Sequence, residues 1–218
     1  MNRQVSIIMC VRNGQRYVAE ALDSIGRQDV PGCEIVIVDD GSTDDSARIA
    51  LAHALTPTVL RQAPLGPAVA LNHGIANASG EFLTFLDSDD VWPTGRLAAM
   101  LEALSADPRS DAVCGKAVNT DENLRPVAQS LASRLHTALV IRREAFHRVG
   151  LFRTDVAHAF NIDWTSRAEL TGLRFSMLDR VVLYRRIHGE NMGIRDRVAA
   201  RHDLLRIVRD HHARNRGP

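Results

Sequence analysis

The chain has 218 residues and a mass of 24.0 kDa, long enough for one α/β domain with a real core and short for two. Lys and Arg number 27 against 26 Asp and Glu, so a net charge of +1 argues against a nucleic-acid binder or an acidic tail and makes any charge effect local. Cys10, Cys33 and Cys114 form no CxxC pair, no apolar run reaches ~18 residues, and the run before Arg12 is too short for a secretory signal, which together predict a soluble cytoplasmic protein with reduced thiols.

Val5 to Val11 is a continuous apolar run broken by Asn13-Gly14, which predicts a buried strand, and Val18, Leu22 and Ile25 then recur at helical spacing over Gln15 to Gln28. Glu34 to Val38 repeats the strand. Ser42 or Thr43 follows as a cap, with Asp44 and Asp45 in the first turn of a second helix. A strand near Thr58, a small-residue helix over Gly66 to Ala78 and a strand over Glu81 to Leu86 complete three units. Strands alternating with helices predict a mostly parallel sheet flanked by helices on both faces, with ligands gathering at the carboxyl ends of the strands.

Three polar segments fall at such ends: Asn13, Asp39-Asp40, and the sequence DSDD at Asp87 to Asp90. Two aspartates one residue apart can share a divalent cation or divide their work between a cation and a sugar hydroxyl. Hard oxygen ligands suit Mg²⁺ or Mn²⁺, which bind a few carboxylates plus substrate phosphates. A carboxylate at Asp39-Asp40 could accept the imide N–H of uracil; an ordinary Asp-rich turn is the competing reading of either stretch taken alone.

Beyond Trp92 the pattern predicts a helix over Arg96 to Leu104, a strand in DAVCGKAV, a polar loop to Leu135, and a strand and helix in HTALVIRREAFHRVGLF. A further helix ends at Gly172, and apolar runs at Phe175 to Leu178 and Val181 to Tyr184 predict one or two strands. Residues 195 to 218 read as a basic amphipathic helix with Val198, Leu205 and Val208 on one side, suited to a solvated face or to peripheral contact with an anionic membrane surface or a partner helix. His202, His211 and His212 match no zinc spacing. Trp92 reads as a packing anchor or a sugar-stacking residue, and Trp164 as a core aromatic or part of an acceptor site. No GxSxG, GxxxxGK[ST] or GxGxxG motif is present.

The segments VSIIMCVRNG, EIVIVDDGSTDDS, NHGIANASGEFLTFLDSDDVW and YRRIHGENM together resemble a family 2 glycosyltransferase of the GT-A type, over roughly Val5 to Met192. The resemblance implies a single GT-A domain over residues 1–194, with a nucleotide-sugar half at 1–92 and an acceptor half at 93–194. It also implies a divalent metal, inverting glycosyl transfer from a nucleotide-diphosphate sugar with UDP preferred to GDP or dTDP, and an acceptor that is often lipid-linked. Carried over by position, Asp40 with Asp39 would bind the base, Asp87 would lie near the ribose, Asp89 would hold the metal, and His188 would help hold metal or diphosphate.

Relatives usually place a Glu-Asp pair, whose Asp is the general base, where this chain has Phe160-Asn161. An amide has no basicity near neutral pH. Asp163 remains from the family pattern, but residues two apart on a helix point in different directions. Three readings stay open: Asp163 or another carboxylate such as Asp155 acts as base, the helix starts later, or the chain binds a sugar nucleotide with little or no transfer. A nucleotidyltransferase is a further rival. Arg12 and Leu71 also depart from the usual Tyr and Arg.

Overall fold

The computed structural model describes residues 5–215, and the side chains of residues 193, 194 and 211–215, His211 and His212 among them, lie outside the description. The first half follows the expected alternation: β1 (Val5–Val11), α1 (Val18–Gly26), β2 (Cys33–Asp39), α2 (Ser46–Leu51), β3 (Thr58–Arg61), α3 (Pro67–Ala76) and β4 (Phe82–Phe85). α4 (Arg96–Ala106), β5 (Ala112–Thr120), β6 (Leu131–Ser133), a 3-10 turn at His136–Ala138, β7 (Leu139–Arg142), α5 (Arg143–Val149), α6 (Phe160–Leu170), β8 (Phe175–Arg186), α7 (Met192–Arg195) and α8 (Arg197–Asn215) follow.

All eight strands form one sheet in the order β3-β2-β1-β4-β7-β5-β6, with β8 paired to β5. The strands β3, β2, β1 and β4 run parallel, while β7 is antiparallel to both β4 and β5, so the expected parallel order holds in the first half and becomes mixed in the second. β4 reads FLTF and is buried at every position, as a central strand covered on both faces must be. One apolar cluster packs α1 and α4 under the sheet; another packs α3, α5 and α6 on the opposite face. At Gly74 of α3 a Cβ would stand 2.6 Å from the Ile8 Cγ2, so this helix approaches β1 only because the position is glycine. α6 stops where foreseen, with Gly172 at φ 74°.

Several boundaries differ. α2 begins at Ser46, so Asp44 and Asp45 precede the helix; Asp44 Oδ1 accepts the Ser46 N–H. The loop to Leu135 contains β6, and the last two apolar runs form one strand, β8, whose pairing with β5 shifts register after Cys114. Trp92 is buried with the Arg96 guanidinium 3.9 Å above its ring, and Trp164 is buried and stacked on Phe146, so both are core residues.

The C-terminal segment is the expected helix, with its named aliphatic side facing outward. Val198, Leu205 and Val208 are exposed, and Ile207 is the one residue among the described side chains of α8 that enters the core. The acidic residues turn inward instead: Asp210 pairs with Arg153, and Asp203 with His158. Polar contacts therefore dock α8 on the segment before α6, and its exposed aliphatics are interspersed with Arg201 and Arg209 rather than sorted onto a lipid-facing stripe. Among the described residues, no helix is long and apolar enough to cross a membrane.

Candidate functional site

β1, β2 and β4 are parallel neighbours, so the loops that follow them meet at one edge. The Asn13 N–H donates to Ser42 Oγ at 3.0 Å and Asn13 Oδ1 accepts the Thr43 N–H at 2.8 Å, tying the first loop to the second. Gly14 lies against Ser88: a Cβ there would stand 3.1 Å from the Ser88 Oγ. The half-buried Cys10 thiol, at the end of β1, is pushed well up by burial and by the charges of Asp40, Asp87 and Asp39.

The third loop is the acidic one. Asp87, Asp89 and Asp90 each bring a carboxylate oxygen within 4.8 Å of the others, the one such group of potential metal ligands among the described residues. The Asp90 N–H closes a turn onto the Asp87 carbonyl, and Val91 then exchanges backbone hydrogen bonds with Tyr184 of β8. The loop is thus clamped between two strands. Asp90 is 3% exposed and its Oδ1 accepts the Arg186 N–H at 2.9 Å.

Repulsion shows in the acidities. Burial, then the charges of Asp89 and Asp87, push the Asp90 carboxyl well above the usual range; burial and Asp87 raise Asp89, against the pull of His188. Burial also acts to raise Asp87, but His136, whose Nε2 lies 3.6 Å from Asp87 Oδ1, and the charge of Arg185 hold it below. Three carboxylates confined in this way favour a cation, and hard oxygens suit a divalent one.

β8 carries the chain to His188, whose Nε2 is 2.9 Å from Asp89 Oδ2; the Asn191 amide donates to the same oxygen at 3.0 Å. Tyr17 and Arg186 support this corner. The Tyr17 ring lies 5.1 Å from that of His188, and Arg186 stacks on Tyr17 while bonding Glu20 at 2.6 Å. The structure therefore brings Asp87, Asp89 and His188 together, with Asn13 at the rim.

Asp39 and Asp40 reach the same edge but face inward. Both are at most 1% exposed. Asp39 accepts from the Ser42 N–H and from Arg61, while Asp40 accepts from Gln62 Nε2 and from the Leu65 and Gly66 N–H groups. In this arrangement the carboxylates hold the turn and the 62–66 loop, and neither presents an edge to a base.

Asp163 departs further from expectation. It is fully buried, with Oδ2 accepting from Arg167 Nε at 2.7 Å and Oδ1 from Arg153 Nη1 at 3.4 Å. Arg167 also bonds the Val149 and Leu151 carbonyls, so Asp163 is the centre of a buried brace between α6 and the preceding loop. Such a carboxylate does not meet an acceptor hydroxyl. Asn161 lies in the first turn of α6, half-buried, its Oδ1 accepting the Ile162 N–H.

Two residues of the site were not singled out from the sequence. Asn191 lies within the HGENM stretch that carries part of the resemblance. His136 had no signal, since it opens a 3-10 turn at the end of an aperiodic loop.

The glycosyl transferase family 2 model matches residues 6–165, which span β1 through the first half of α6. The chain belongs to glycosyl transferase family 2. It is 33% identical over 127 residues to glycosyltransferase GlyG of Streptococcus pneumoniae (56% of this chain, 42% of that protein) and 28% identical over 208 residues to an uncharacterized glycosyltransferase of Rickettsia prowazekii (84% and 64%). Similar solved structures include S. aureus TarS in complex with UDP, at 26% identity and a TM-score of 0.76 over 94% of this chain and 63% of that one. Another is the mannosyltransferase PcManGT from Pyrobaculum calidifontis in complex with GDP-Man and Mn²⁺, at 25% identity and a TM-score of 0.73 over 96% and 64%. The chain spans less than two thirds of the length of these relatives. These likenesses confirm the GT-A architecture expected from the sequence.

Proposed function

We propose that the chain binds a nucleotide-diphosphate sugar at the edge formed by the loops after β1, β2 and β4, and belongs to an inverting glycosyltransferase that moves the sugar to an acceptor hydroxyl. The observation carrying this reading is the convergence of Asp87, Asp89 and Asp90 within 4.8 Å, beside His188. Asp89 and His188 would hold a divalent ion, Mn²⁺ or Mg²⁺, with Asp90 behind them and Asp87 turned toward the ribose. When bound, such an ion offsets the negative charge that develops on the departing diphosphate. The UDP complex of TarS and the GDP-Man and Mn²⁺ complex of PcManGT support the ligand class, and UDP is the donor nucleotide we favour. Asp39 and Asp40 shape the base-side rim, and base contact through Asp40 requires the 62–66 loop to open.

A second reading, a sugar-nucleotide binding chain with impaired transfer, is favoured by Asn161 and by the burial of Asp163 between two arginines. Titration with UDP, GDP and dTDP, each with Mn²⁺ and with EDTA, tests the binding. A nucleotide that binds only with metal raises the melting temperature by mass action, and no shift with any of the three defeats the proposal. Release of nucleoside diphosphate from UDP-sugars by wild type and by Asn161→Asp separates the readings. A gain of about 10²-fold or more in the variant marks the natural chain as impaired, in the range that a positioned base contributes. Equal rates show that another group does that work.

A further inference from the structure

Buried ring nitrogens ordinarily have partners. His136 is 5% exposed, and neither Nδ1 nor Nε2 makes a hydrogen bond. Its ring is caged edge-on by Phe85, Phe152 and Phe160 at centroid distances of 5.6, 5.7 and 5.3 Å. A phenylalanine would satisfy that cage without leaving orphaned nitrogens. The histidine therefore calls for a reason beyond packing.

The ring cannot move far to find a partner. It opens the 3-10 turn before β7, which lies antiparallel to β4, so the turn stands beside the acidic loop. The buried Arg96 locks it there, donating to the Thr137 and Leu139 carbonyls and to Thr84 Oγ1. Asp87 is the freer member of the pair: its side chain is 47% exposed, and its Oδ1 stands 3.6 Å from Nε2, just beyond hydrogen-bond length. An ionised carboxylate only accepts, so the facing nitrogen must carry the proton.

We propose that His136 is a positioning residue for Asp87: its Nε2–H donates to the carboxylate when nucleotide and divalent ion fill the cleft, fixing which oxygen Asp87 presents to them. Site hydrogen bonds that are long without ligand commonly tighten in the complex. The cage supplies rigidity, and Phe160 connects the same ring to the first turn of α6, next to Asn161. The inference rests on the nucleotide-sugar reading above.

The test is calorimetric titration of UDP in the presence of Mn²⁺ into wild type, His136→Phe, His136→Gln, Asp87→Asn and the His136→Phe/Asp87→Asn double variant, with melting temperatures in EDTA alongside. His136→Phe should keep or raise the EDTA melting temperature, since it fills the cage, yet weaken Mn²⁺-dependent UDP binding roughly tenfold or more, the range for losing one hydrogen bond to a charged group. His136→Gln, which places an amide N–H at similar reach, should recover most of the affinity. The double variant should bind no worse than Asp87→Asn. Full affinity in His136→Phe, or losses that multiply in the double variant, overturns the positioning role. If wild type fails to bind UDP or GDP with Mn²⁺, the nucleotide-sugar reading falls and takes the inference with it; if wild type binds and His136→Phe binds as tightly, the inference alone falls.

Discussion

Replacing Asp90 by Asn should make the ligand-free protein more stable and the metal-loaded protein less so. At 4.8 Å, two unit charges in an effective dielectric of about 20 repel by roughly 3.5 kcal/mol. The full amount is not realised, because His188 and His136 sit against Asp89 and Asp87, and burial pushes the Asp90 carboxyl's pKa well above its usual range, disfavouring its charged form. A gain of about 1–2 kcal/mol remains, or roughly 2–8 °C in melting temperature for a chain of this size. Asn keeps the oxygen that accepts the Arg186 N–H, so that contact is retained. The sign with pH follows from linkage. A carboxyl whose folded pKa is raised penalises the fold fully above that value and not at all below the ordinary carboxylate value of about 3.9. The advantage of Asp90→Asn in EDTA should therefore grow as pH rises and vanish toward pH 4. With saturating Mn²⁺ the order should invert, since wild type gains RT ln(1 + [L]/Kd), about 2.7 kcal/mol at a hundredfold excess over Kd, and the variant gains less. Melting curves at three pH values with EDTA or Mn²⁺ read both effects. An Asp90→Asn protein that melts lower in EDTA and keeps the full metal response refutes the reasoning and makes Asp90 a purely structural acceptor.

Asp163→Asn should lower stability by about 3–5 kcal/mol, the cost of breaking a buried pair from one side, because Arg153 and Arg167 lose their shared carboxylate; urea unfolding checks it, and the folded fraction should bind nucleotide as wild type does. Acid should weaken the contact between α8 and the segment before α6. Arg153, opposed by burial and helped by Arg206, holds Asp155 down to about 2, so the stability it contributes is intact above about pH 4 and is lost as pH falls through 2. With its side chain 44% exposed the amount is screened to under about 1 kcal/mol. Urea midpoints of wild type and Asp155→Asn should differ at pH 5 and converge only below pH 2.

Burial on both faces made β1, β2 and β4 readable, since a covered central strand writes a nearly continuous apolar run. β6 left no such trace: its three residues are partly or fully exposed, Leu131 at 71%, and it exists through backbone pairing with β5. β8 looked like two strands because Asp179-Arg180 interrupts its apolar runs, and the register shift against β5 absorbs the interruption. For α8 the apolar spacing was visible but the facing was not, because that depended on Arg153 and His158, distant in sequence, claiming Asp210 and Asp203. The acidic loop was legible for the opposite reason, and His188 only through the family resemblance. A run of carboxylates at a strand end has few explanations other than a turn or a cation, whereas the buried brace around Asp163 needs Arg153 to be seen beside it.

Under the proposed transfer, that brace bears on which group could take the acceptor proton. Asp163 sits within one turn of Asn161, yet both its oxygens are held by guanidinium groups that are themselves tied to the Asp155, Val149 and Leu151 segment. Turning it outward would remove the one carboxylate that joins Arg153 to Arg167. Asp155 is no better placed for the task, for a carboxylate held near pKa 2 by Arg153 and Arg206 is a weak base at neutral pH. Neither alternative carboxylate of this region is then free to take a proton, and Asn161 occupies the position from which the family pattern would do so. Asn161→Asp is accordingly the informative substitution: it adds a base in the half-exposed first turn of α6 without touching the brace, so a rise in turnover reports chemistry rather than repair of the fold.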